Sequence, residues 1–127
     1  MRYLTQTFNR DDEHDNSFAV CLACILDMKT NMVPEFELSN NWDYKLYHFL
    51  NVYGFKLYGT ISGKRVLKYN IGVDGYYIVR GTLPKTEYEH YVIFKNGKLV
   101  WDPHPSKTGI ILKDVNNLTA YMIETEE

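Results

Sequence analysis

Apolar positions along the chain fall into two helical patterns followed by a run of strand patterns. In SFAVCLACILDM, residues 17–28, Phe, Ala, Val, Cys, Leu and Ile occupy every side of a helix, which predicts an element buried nearly all round and central to its domain. VPEF follows, and because the residue before a proline is pushed out of the α region, Pro34 marks a break. A second helix is predicted from about 41 to 53, where Trp42, Leu46, Phe49, Leu50 and Tyr53 recur at helical spacing, with SNN as a cap and Gly54 as a stop.

After YGFKLYG the pattern changes. YYIVRG, HYVIFK, KLVWD and LTAYMIE are short, rich in β-branched and aromatic residues, and separated by Gly, Pro or Asn. Helices first and an antiparallel sheet second is an α+β layout. The segment GTISGKRVLKYNIGVDG between them predicts a strand followed by an adaptable loop, with Gly63, Gly72 and Gly75 supplying the freedom. There is no repeat or linker, so residues 1–127 are expected to form a single domain.

Composition narrows the class. With 127 residues, 45% of them hydrophobic and 24% charged, the chain is large enough for one core without disulfide or metal staples. A net charge of -2 with scattered basic residues gives no footprint for nucleic acid. No apolar run approaches a membrane span, and MRYLTQTFNRDDEH has no secretory h-region. Cys21 and Cys24, three apart on one helix, are better placed as buried thiols than as a disulfide, which points to a reducing, cytoplasmic compartment. The 11 tyrosines suit half-buried strand positions.

HYVIFKNGKLVWD carries the first chemical signal. Asn96-Gly97 marks a hairpin with two possible registers. A two-residue turn pairs Lys95 with Lys98 and sends His90 and Asp102 to opposite faces. A three-residue loop with Gly97 as a bulge pairs Phe94 with Lys98, and His90 then lies directly opposite Asp102 on one face. In that register the carboxylate can fix the imidazole's tautomer and stabilise its charged form, as the base and its orienter do in a catalytic triad.

A triad also needs a nucleophile, which a helix N-terminus can present because its N–H groups and dipole stabilise a thiolate and an oxyanion. The well-formed helix start ahead of the sheet is at Ser17, where Asp, Asn and Ser are also ordinary caps. Here DNSFAVCLACILDM followed by VPEF resembles the pattern G-N-C-[FW]-x-A-C-x-A-S-L-L-G, then V-P-x-F, of small papain-like cysteine peptidase-fold proteins of bacteria and phages related to bacteriocin-processing peptidases. GYYIVRG, HYVIFKNGKLVWDPHPS and AYMIE continue the likeness, which runs from about Gln6 to Glu124 with the middle unmatched.

The resemblance implies a papain-like fold, a central N-terminal helix packed on an antiparallel sheet. It implies His90 as general base, Asp102 as orienting acid, Ser17 at the nucleophile position, Phe18 as the aromatic that follows it, Cys21 as a structural second cysteine, and Gln6 as a candidate oxyanion ligand. Asn16 is expected to line the cleft, and His104 either to line it or to close the turn between Pro103 and Pro105; Asp15 stands where the pattern has Gly. The activity implied is thiol-dependent hydrolysis of a peptide, isopeptide or amide bond, or acyl transfer from an acylated small molecule by the same triad, without metal or organic cofactor. Serine departs from the pattern, because a hydroxyl is far harder to ionise than a thiol at such a site. The chain as written is expected to be a weak or inactive hydrolase: either a deliberate Cys→Ser exchange at position 17, favoured because His90 and Asp102 are intact, or a dead module that keeps its cleft for binding.

Other residues fit ordinary roles better. Cys21 and Cys24 lie inside the helix, where burial raises a thiol's pKa. His48 sits among helix aromatics. DDEHD, residues 11–15, holds four carboxylates and an imidazole, but a contiguous run converges poorly on one ion and is expected to be a solvated loop. Substrate specificity would fall to the loops around 64–74 and 82–89, a compactness that suits a phage protein acting in a host cytoplasm.

Overall fold

The computed structural model describes residues 1–6, 16–36, 40–68 and 72–125. Two α-helices, α1 (Ser17–Leu26) and α2 (Trp42–Val52), precede or flank five strands: β1 (Phe55–Ser62), β2 (Tyr76–Thr82), β3 (Glu89–Lys95), β4 (Lys98–Trp101) and β5 (Thr119–Thr125). The strands form one sheet in the order β1-β5-β2-β3-β4, with every neighbour antiparallel. The fold is α+β. No described helix is long and apolar enough to cross a membrane.

All ten residues of α1 are buried, as its all-round apolar pattern requires. The helix stops two residues earlier than its pattern suggests, and Pro34 is not the cause. Asp27 takes a left-handed conformation at φ 62°, and the Met28 N–H returns to the Ala23 carbonyl at 2.9 Å, so a Schellman-type closure consumes the last carbonyls. Helix α2 buries Leu46 and Leu50 and leaves Tyr44, Tyr47 and Val52 exposed, and Gly54 follows at φ 82°.

Both faces of the sheet are covered. Ile78, Tyr91, Ile93, Tyr121 and Ile123 pack with α1, Phe36, Leu46 and Leu50 on one side. Tyr77, Val79, Val92, Phe94, Ala120 and Met122 pack with Val66, Ile110 and Leu118 on the other. Double coverage explains why the central strands read as almost unbroken apolar runs. It also alters the expectation of half-buried tyrosines, since Tyr77 is wholly buried and donates its hydroxyl to the Val66 carbonyl at 2.9 Å while receiving the Gly97 N–H at 3.0 Å.

The β3–β4 hairpin combines features of the two expected registers. Lys95 pairs with Lys98 across a two-residue Asn96-Gly97 turn, with φ of 56° and 77°, the geometry that primed hairpin turns demand. The three-residue loop is therefore not formed. Pairing then shifts, because Phe94 faces Leu99 and Ile93 faces Trp101, leaving Val100 as an extra residue. This bulge reverses the parity beyond it. The consequence foreseen for the other register is restored by a different device: Asp102 emerges on the His90 side.

Candidate active site

His90 is the second residue of β3, paired with Gly81 of β2, and Asp102 lies just past the end of β4. His90 Nε2 and Asp102 Oδ1 are 2.7 Å apart, and both side chains are buried. The acid is held by the short loop it opens. Asp102 Oδ1 also receives the His104 N–H at 2.9 Å, and Oδ2 receives the Gly109 N–H at 2.7 Å. Lys107 closes the loop from outside, donating from Nζ to the Asp102 carbonyl at 2.8 Å while lying 4.1 Å from the centre of the Trp101 ring. Three donors on one carboxylate leave it little rotational choice.

Burial opposes ionisation of Asp102, but the His90 hydrogen bond and charge, with the two backbone N–H groups, outweigh it and hold the carboxyl below the ordinary carboxylate range. The acid is therefore a carboxylate near neutral pH. The carboxylate engages Nε2 of His90, which fixes the orientation of the ring.

Ser17 is the first residue of α1, and Asn16, not Ser17, holds the cap position. Asn16 makes no side-chain cap hydrogen bond, and its buried Oδ1 has no hydrogen-bond partner among the described residues. Ser17 Oγ instead receives the Tyr91 N–H at 3.2 Å, and one turn later Cys21 Sγ donates to the Tyr91 carbonyl at 3.4 Å. The sheet explains this arrangement. β4 pairs with β3 only as far as Ile93 and Trp101, so α1 takes over as the partner of the next outward-facing backbone groups. Position 17 is thereby fixed at the residue that follows His90.

The first intrahelical bond of α1 runs from the Val20 N–H to the Asn16 carbonyl, so helix geometry gives the N–H groups of residues 17–19 no partner inside the helix. That end carries partial positive charge beside position 17. Gln6 is buried, and its N–H donates to the Pro103 carbonyl at 2.9 Å, which places residue 6 beside the Asp102 loop. The ring of His104 meets that of His90 edge-on at 5.6 Å. Its Nδ1 accepts the Ser106 N–H at 3.1 Å and approaches Ser106 Oγ at 2.7 Å. A backbone N–H can only donate, so in this arrangement the His104 proton sits on Nε2.

The other candidates separate from this group. Phe18 is enclosed by Phe36, Trp42, Tyr91 and Tyr121 and orients α1 through packing. Burial pushes the Cys24 thiol up, and Cys21 is wholly buried; neither is in a disulfide among the described residues. His48 is exposed between Tyr44 and Tyr47. Residues 11–15, with Asp15, lie outside the described residues. Sequence reasoning missed the Tyr91, His104 and Gly109 N–H groups and the Lys107 clamp, because backbone donors leave no mark in a residue pattern.

Comparison with protein-family models, with curated proteins and with solved structures finds no match for this chain.

Proposed function

We propose that this chain has a papain-like site for thiol-dependent hydrolysis of a peptide, isopeptide or amide bond, with Ser17 standing where the reaction needs cysteine. The observation that carries the reading is the bond from the Tyr91 N–H to Ser17 Oγ, which brings the start of α1 to the residue after His90 while Asp102 holds His90 through Nε2. A sulfur at position 17 would meet that N–H and the positive end of α1 together, two influences that favour a thiolate. With cysteine there, Sγ forms a bond to the substrate carbonyl carbon, and the charge developing on oxygen is met by N–H groups at the helix start, with Gln6 as a further donor. His90 delivers a proton to the leaving amine as its bond to carbon breaks. Water then attacks the thioester, giving the acid and restoring the thiol; an amine in place of water makes the same site an acyltransferase. Asp102 keeps the ring in one orientation throughout.

The Ser17→Cys protein tests this. At about pH 6 an ordinary thiol is mostly protonated, so iodoacetamide should label position 17 at least tenfold faster than positions 21 and 24, and His90→Ala should abolish the difference. Slow labelling at position 17, unaffected by His90, would overturn the reading. One observation favours the rival of a binding module without catalysis: Ser17 and His90 are wholly buried, and Ser17 Oγ already has a structural hydrogen bond. A native gene with serine at codon 17 would support that rival; a cysteine codon would argue against it.

A further inference from the structure

A polar cleft of about 270 Å³ opens where β2 and β5 part. These strands pair from Ile78 and Tyr121 to Arg80 and Thr119 and then diverge. Gly81, the cross-strand partner of His90, lies in the cleft wall, so the space begins roughly 5 Å from the His90 backbone, the usual separation of paired Cα atoms. Its other walls are Arg80, Thr82, Glu87, Glu89, Asn116 and Asn117.

We infer that this cleft holds a basic side chain, a lysine or arginine of the substrate, on the β2 side of the strand that carries His90; the word substrate rests on the hydrolase reading, whereas the binding does not. The charges select the sign of the ligand. Two carboxylates face one guanidinium, and that guanidinium is already engaged, with Nη2 donating to Thr119 Oγ1 at 3.2 Å and Nη1 lying 3.8 Å from Glu89. Glu87 makes no ion pair among the described residues, so an entering cation meets a carboxylate that it need not take from another partner. An anion would have to displace Arg80 from its contacts under the field of both acids. Asn117 gives its amide N–H to Asp114 at 2.9 Å, so its carbonyl oxygen remains as an acceptor.

The walls are built before any ligand arrives. Glu87 rides on a loop tied by Leu83 N–H to the Tyr88 carbonyl at 3.0 Å, Thr86 Oγ1 to the Leu83 carbonyl at 2.8 Å, and Tyr88 N–H to Thr86 Oγ1 at 3.1 Å. Asn116 and Asn117 belong to a 3-10 turn, Val115–Asn117, anchored by the buried Leu118. Ordering such a loop costs little on binding because it is already ordered.

The test titrates the full chain, with Ser17 in place, with acetyl-Gly-Lys-Gly-amide and its Gln and Glu counterparts, following backbone amide shifts by NMR. The lysine peptide should shift Gly81, Thr82, Asn116 and Asn117 saturably, bind at least fivefold more tightly than the glutamine peptide, and lose that margin in Glu87→Gln. Equal or tighter binding of the glutamine or glutamate peptide, shifts that ignore Glu87→Gln, or no saturable shift at these residues would each overturn the inference. Selective lysine binding by a chain whose Ser17→Cys form labels slowly would retain the cleft and reject the hydrolase.

Discussion

Asp102 concentrates more of the site's organisation than any other side chain. Its two oxygens accept three donors, from His90, His104 and Gly109, and an amide has only one oxygen to offer. Asp102→Asn is expected to turn an NH2 toward at least one of those N–H groups and to cost about 1–3 kcal/mol at pH 7. The loss should depend on pH. The folded carboxyl is held below its ordinary range, so its contribution is complete above the unfolded value near 4 and fades as pH falls through the lower folded value. Urea unfolding at about pH 7 and about pH 3 checks this, with the gap between the two proteins narrowing in acid. The residue itself was legible in the sequence as an acid beside a histidine hairpin. Its two backbone donors were not, because they come from the way residues 102–109 curl back on the carboxylate.

At the scale of elements, the hairpin shows how one residue decides which face the Asp102 carboxylate occupies. NG indicates a turn but leaves the parity of everything beyond it open, since a loop of three residues or a turn of two plus a bulge both bring Asp102 to the His90 side. The chain uses the second solution, with Val100 as the extra residue. Deleting Val100 should regularise β4, carry Asp102 to the opposite face and break the His90 contact, while the Lys95-Lys98 pairing survives. The 15N shifts of the His90 ring, compared with those of Asp102→Asn, provide the check; a deletion variant whose ring shifts match the parent would refute the role given to the bulge. Helix α1 shows the converse case. Its burial was plain from its apolar residues, but its end was not, because a left-handed Asp27 rather than Pro34 closes it.

Across the whole molecule, residues 1–6 join parts that are distant in sequence. The Arg2 N–H donates to the Cys24 carbonyl at 3.0 Å, the Leu4 N–H reaches Cys24 Sγ at 3.4 Å, the Trp101 indole N–H donates to the Leu4 carbonyl at 2.8 Å, and Gln6 pairs with Pro103. This segment laces the far end of α1 to the strand and loop that hold Asp102. Burial also keeps the Cys24 thiol protonated and protected. Removing residues 1–5 should therefore expose Cys24 and speed its labelling by a disulfide reagent at least tenfold, with little change at Cys21, whose partner is the Tyr91 carbonyl.

The sequence by itself determined the elements and their chemistry: a helix apolar on every side, a sheet-forming second half, and a serine, histidine and aspartate whose types suit a triad. Those properties are local, set by side-chain polarity and backbone preference within a few residues. The tertiary structure alone decided how they are placed. The bulge at Val100 sets the face of Asp102, the early end of β4 gives the Tyr91 N–H to Ser17, and the divergence of β2 from β5 opens a polar cleft beside His90. Each depends on where a strand stops pairing, which is fixed by competition among backbone partners far apart in the chain.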